Sequence, residues 1–190
     1  MEDFLYVGHR FEREVLLNGS ISNREFDHCE FLGCDFSGSA FTDCIFTDCI
    51  FTDCNLSMCA MAGSTLQQSS WVRCKLLGIR FDACNKTFFS PSFAQSALDF
   101  SSFANLKMPR SSFEGCSLKG VNYSNCDLRE CNFNDTDMDG AIFDEADLSG
   151  ADFSTAVNFN IDPERNRLAK AKFSINNLEG LLARYEIKIT

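Results

Sequence analysis

Two histidines, one tryptophan and three tyrosines are all this chain of 190 residues has of those types. His9 and His28 stand far from any serine and carboxylate in a recognisable order. No nucleophile, base and orienting acid can be assembled from them, and no Gly-rich phosphate loop or isolated carboxylate pair stands out. Catalysis, and with it any catalytic or cofactor-binding residue, is therefore not expected. There is no run of about 18 consecutive apolar residues, so no membrane-spanning helix is expected. The opening MEDFLYVGHRFERE has no apolar stretch of the secretory kind. Bases are scarce as well, 17 against 27 acids, giving a net charge of −10 and a pI near 4.6. Direct contact with nucleic acid is disfavoured, because that depends on basic residues at phosphates. A basic partner surface or plain solubility fits better. The cysteines, eleven in all, never fall in a C-x-x-C or C-x-x-x-H spacing, which argues against a metal site. Without a leader they read as reduced thiols of a cytoplasmic protein.

What is present is a repeat. Residues 41–55 read FTDCIFTDCIFTDCN. Steps of five from Phe11 land on a large apolar residue at every position to Phe81. The next step falls on Lys86. The frame resumes two residues late, at Phe88, and continues through Phe93, Phe113 and Phe133 to Phe153. Two places before these centres stand Cys29, Cys34, Cys44, Cys49, Cys54, Cys59, Cys74, Cys116, Cys126 and Cys131, or Ser, Thr and Ala in other copies. Residues two apart on an extended strand share a side. Small and large residues therefore both point inward, the polar ones point out, and each fifth residue turns a corner. The cysteine is read as a small hydrophobe that lets the phenylalanine fit. Phe46, Phe51 and Phe133 should be fully buried. The slip at Asn85-Lys86-Thr87 should bulge from a corner, with Phe88 inward and Phe89 outward, making Lys86 and Phe89 possible contact residues.

The copies Cys-Asp-Phe-Ser-Gly (34–38), Cys-Asn-Leu-Ser-Met (54–58), Ala-Asp-Leu-Ser-Gly (146–150) and Ala-Asp-Phe-Ser-Thr (151–155) resemble the pentapeptide-repeat family. The resemblance covers roughly residues 11–155. It implies an all-β solenoid, a right-handed quadrilateral β-helix with four repeats per coil and residues 20 apart stacked. About seven coils would make a rod roughly 35 Å long at the ~4.8 Å strand spacing. The expected organisation is a β-helix over 1–155, with the slip near 85–88, and a cap and dimerisation segment over 156–190. In that tail Ser174 can cap a short α-helix over about 175–185. Leu178, Leu181, Leu182 and Tyr185 form one apolar stripe, and with Ile187 and Ile189 they are the expected homodimer interface.

The order NIDPERNR followed by a Leu-rich helix, and KLLGIRFDACN at 75–85, look like the gyrase-protecting branch of the family (Qnr, MfpA, and microcin- and albicidin-immunity proteins). That resemblance implies a dimeric, DNA-mimicking rod that binds DNA gyrase or topoisomerase IV and relieves inhibition. The alternative is a scaffold rod with another partner. The charge is banded. Residues 25–59 carry seven acids and no base, and 111–152 carry ten acids against Lys119 and Arg129. Averaged along the rod the density is about half that of duplex DNA, which has one charge per ~1.7 Å. The acidic candidates for partner binding are Asp43, Asp48, Asp53, Asp135, Asp137, Asp139, Asp144 and Glu145.

Overall fold

At nearly every fifth residue the chain turns by adopting a left-handed backbone. Arg13, His28, Asp43, Asp48, Asp53, Gln68, Arg73, Asn105, Asn125, Asp135 and Glu145 all have φ between +50° and +65°, and glycine takes the same place at 33, 38, 63, 78, 115, 120, 140 and 150. Between corners the backbone is extended. The computed structural model, which describes residues 3–185 and 187, is therefore a β-solenoid of about eight turns with four flat walls.

Residues 20 apart lie in register. On the first wall Leu5–Val7, Glu25–Asp27, Ile45–Thr47 and Thr65–Gln67 form one parallel sheet. On the second, Arg10–Glu12, Glu30–Leu32, Ile50–Thr52, Ser70–Val72 and Ser92–Ala94 form another. The third wall stacks Val15, Asp35, Asn55 and Lys75 through single bridges. The fourth begins with Ser20–Ser22 on Ala40–Thr42. The residue just before the centre biases the choice between strand and bridge. Ile45, Ile50 and Thr65 are β-branched and stay in strands. Asp35, Asn55, Asn122 and Asp147 instead accept the backbone N–H two residues on, at 2.9–3.1 Å, and fold the segment into a turn held by single bridges, whereas Asp152 makes the same bond at 3.0 Å within the strand Asp152–Phe153.

The centres fill the rod. Phe46, Phe51 and Phe133 are buried as the repeat requires. One aromatic column runs the length of the second wall, Phe11–Phe31–Phe51–Trp71–Phe93–Phe113–Phe133–Phe153–Phe173. Its ring centroids are 3.8 Å apart at Phe51–Trp71 and 6.5 Å at Trp71–Phe93. Coils also extend past both limits of the sequence frame. Tyr6 stacks on Phe26 before it, and Phe173 stacks on Phe153 after it.

The cysteines do more than make room. Each of Cys29, Cys34, Cys49, Cys54, Cys74, Cys126 and Cys131 donates its thiol to the carbonyl of the centre 23 residues earlier, at 3.0–3.5 Å. Ser64 donates to Phe41 in the same way, and Ser101 to Leu76 across the slip, both at 2.8 Å. The small inward residue thus supplies a donor to a buried carbonyl as well as space.

The slip is where the sequence expectation fails. Pairing across it changes from 20 to 22 residues, Trp71 meeting Phe93, so a bulge is present. Its phase is the reverse of that expected: Phe88 takes the left-handed corner, 69% exposed, while Phe89 is buried against Phe81. Asn85 explains this. Its side chain accepts from Thr87 N–H at 3.0 Å, which keeps the chain turning one residue longer and carries Phe88 outside.

The tail covers the last coil. Asn166 takes the place of a small inward residue. Its side chain accepts from Ala146 N–H at 2.9 Å and donates to the Phe143 carbonyl at 3.0 Å. Ser174 caps a helical segment as expected, accepting from Asn176 N–H. The winding is 3-10, over Ile175–Leu181 and Ala183–Tyr185, in place of the expected α-helix. Gly180 lies so close to Phe159 that a Cβ would collide with its carbonyl and ring.

Candidate functional site

Because the corners face solvent, charge placed there is displayed around the rod. Asp43, Asp48 and Asp53 occupy three successive corners at φ of 52°, 51° and 54°. No single wall carries all three. Aspartate tolerates this backbone, so part of the acidity follows from the turn. The requirement is loose, however, since Arg13, Gln68 and Met58 fill equivalent corners.

The expected acidic set divides once side chains are placed. Asp53 is bound by the Arg73 guanidinium at 2.7 and 2.8 Å, which holds its carboxyl below the usual range. Asp137 accepts from Asn158 at 2.8 Å and pairs with Lys119 at 3.0 Å, and the two partners, Asn158 first, lower its pKa. Asp144 pairs with Arg165 at 2.5 Å. Asp137 and Asp144 are half-buried and do not point freely to water. Asp48 lies beside Asp27 and His28. Asp43, Asp135, Asp139 and Glu145 are exposed and meet no cation within ion-pair distance among the described residues. Asp135 and Asp139 flank the third wall near the C-terminal end, and Glu145 turns the corner after the fourth.

Several of the paired acids share a spacing that is present in the sequence. Asp53–Arg73, Arg110–Glu130, Asp147–Arg167 and Asp152–Lys172 are each 20 residues apart, one coil up the same column. Such ladders cancel much of the formal charge locally, and exposed pairs of this kind contribute little stability.

The other two candidate regions are smaller. At the bulge Lys86 and Phe88 are exposed, and Phe89 is not. At the C-terminal face the apolar stripe is shared with the rod. Leu181 packs on the core and Leu182 is half-buried, while Tyr185 donates to Glu164 at 2.9 Å. Leu178, Tyr185 and Ile187 remain exposed, and Ile189 lies outside the described residues. No helix among the described residues is long and apolar enough to cross a membrane.

A closed quadrilateral solenoid with a filled core and polar walls defines a rod whose chemistry lies on its outside. The model of the pentapeptide repeat region matches residues 24–103 and 106–181, and the chain belongs to that family. No curated protein matches the sequence. Among solved structures the chain is similar to two trypsin-treated forms of QnrB1, a plasmid-mediated fluoroquinolone resistance protein. The first is 19% identical with a TM-score of 0.68, covering 98% of both chains. The second is 17% identical with a TM-score of 0.63, covering 95% of this chain and 100% of that one. It is also similar to HetL, a pentapeptide repeat protein involved in heterocyst differentiation regulation from the cyanobacterium Nostoc sp. That match is 15% identical with a TM-score of 0.57, covering 91% and 89%. At these identities the likeness is one of fold.

Proposed function

We propose that this rod binds DNA gyrase or topoisomerase IV without catalysis and protects the enzyme from an inhibitor or toxin. The observation that carries the reading is the end-to-end likeness to QnrB1, tail included, together with acids that stand unpaired along one end of the rod. Unpaired Asp135, Asp139 and Glu145 would meet a basic enzyme surface in place of DNA phosphates. Lys86 and Phe88 would add a local contact at the bulge. The setting would be cytoplasmic. The test is a gyrase supercoiling assay with an inhibitor such as a quinolone, titrated with the protein. Recovery of supercoiling is expected; absence of binding to either topoisomerase would end the proposal.

The acidic contact makes its own prediction. Changing Asp135, Asp139 and Glu145 to Asn, Asn and Gln should leave the fold intact, weaken gyrase binding and flatten its salt dependence, because salt screens exposed charges. Neutralising the paired Asp137 and Asp144 should do less. Undiminished binding by the first variant, with the same salt slope, removes this band from the interface.

Two copies would pair through the exposed Leu178, Tyr185 and Ile187, placing their acidic bands side by side. Leu178→Arg is the better probe than Leu181→Arg, because Leu181 also covers its own core. A photo-crosslinker at position 187 should join two wild-type copies and fail to join Leu178→Arg copies. Equal yields would show that this face does not pair. A second reading, a scaffold or regulatory rod with a different partner, draws on the comparable likeness to HetL. Binding to a non-topoisomerase protein with no effect on supercoiling would favour it.

A further inference from the structure

The N-terminal end of the rod is unlike its other surfaces. Elsewhere the residues flanking each centre are mostly polar. In the first coil Leu5 and Val7 on the first wall, and Val15 and Leu17 on the third, are all exposed. Between them, on the second wall, Arg10 and Glu12 pair along the strand at 2.6 Å. The backbone there is open too. One coil on, Glu30 N–H donates back to the His9 carbonyl at 2.9 Å, and Glu25 N–H donates to Phe4 in the same way. Nothing among the described residues lies beneath Arg10–Glu12 to receive the equivalent bonds. An open strand edge of this kind is a template for another strand.

We infer that this edge is a docking surface for the same edge of a second copy, joined N-terminus to N-terminus about a twofold axis through the second wall at Phe11. The pattern of side chains is self-complementary under that operation. The second walls face each other antiparallel, so Arg10 lies opposite Glu12 of the partner copy and Glu12 opposite the partner's Arg10, as hydrogen-bonded pairs. The first wall of one copy faces the third wall of the other. That places Leu5 against the partner's Leu17 and Val7 against the partner's Val15, apolar on apolar at each contact.

The pitch of the solenoid supports the same axis. Successive walls climb by a quarter of the ~4.8 Å coil spacing. Rotation about an axis through the second wall therefore leaves equal gaps at three contacts: second wall on second, first on third, and third on first. The fourth walls, Ser20–Ser22, sit one strand spacing further apart and stay unpaired. An axis through the third wall would instead bring Val15 and Leu17 onto their own copies and set Arg10–Glu12 opposite Ser20–Ser22, losing the charge match. An interface one coil wide is small beside the roughly 800 Å² per partner of stable complexes, so association is expected in the micromolar range or weaker.

This contact is independent of the C-terminal pairing proposed above, so it is tested with that face disabled. In the Leu178→Arg background, sedimentation velocity over a wide concentration range should show a reversible dimer. Adding Arg10→Glu or Glu12→Arg should abolish it, since each sets like charges opposite each other twice, weakening association at least tenfold. Both residues are exposed, and circular dichroism should confirm unchanged folding. An equimolar mixture of the two reversal variants should dimerise again, because the doubly acidic edge of one then meets the doubly basic edge of the other at both contacts. A background variant that stays monomeric throughout, single reversals that still dimerise, or a mixture that stays monomeric would each overturn the proposal. A rod whose edge receives a strand of some other protein would give the first of these results.

Discussion

Raising the pH from 9 toward 12 is expected to unfold the rod. Burial pushes the thiols of Cys49, Cys59, Cys84, Cys116 and Cys131 up to about 12, and Cys126 to about 11, from an ordinary value of 9.0. Cys29 and Cys44 are raised for the same reason. Cys74 runs the other way, lowered first by its hydrogen bond with Cys54. The sign follows from linkage. An acid whose pKa is higher folded than unfolded binds more protons in the folded state. Its stabilising contribution is complete below pH 9 and is lost as pH rises toward 12. By pH 10 each of the five thiols raised to about 12 costs on the order of 1 kcal/mol, several kcal/mol together. Native domains have only about 5–15 kcal/mol to lose. Circular dichroism against pH should therefore show a cooperative loss of structure near pH 10–11. Cys49→Ser should move the midpoint upward, since serine keeps a donor, as Ser64 does at its equivalent place, and does not titrate there. At pH 8 the folded protein should react slowly with a thiol reagent and completely in denaturant. Fast labelling of the native state, or structure persisting past pH 12, would contradict this account.

Phe51→Ala is expected to cost about 3–5 kcal/mol, the range for large aromatic-to-alanine changes in a rigid core. Phe51 is sandwiched between Phe31 at 4.4 Å and Trp71 at 3.8 Å, the tightest part of the column. Its loss opens a gap in a core where no neighbour can collapse inward, because corner and register fix every backbone position. The same change at Phe173, at the last coil and only half-buried, should cost less. Urea unfolding of the two variants compares them directly. Equal midpoints would mean that the coils do not stack as a continuous column.

The repeat made most of this fold legible. A period of five with large residues at every step can be satisfied only by a backbone that turns every fifth residue and points every centre inward. The burial of Phe46, Phe51 and Phe133 and the inward cysteines follow from it, while the 20-residue coil register is implied by the resemblance to the pentapeptide-repeat family. The kind of acceptor that seven of the thiols share did not follow, because it lies 23 residues away and exists only once coils stack. Likewise the Asp53–Arg73 and Asp152–Lys172 ladders were present as a 20-residue spacing but acquire meaning only from four walls per turn.

Tertiary structure alone decided the remainder. Which of Phe88 and Phe89 enters the core depended on an Asn85 side chain closing a turn, a local bond that competes with the period. The tail shows the same limit. Its Leu stripe is periodic, but whether a leucine faces a partner or its own rod depends on the last coil beneath it, and Leu181 packs on its own core. The amino-acid sequence determines what a repeated unit must do, because each copy meets the same surroundings. At the bulge and at the two ends the surroundings are unique, and there only packing and hydrogen bonding between distant residues choose the outcome.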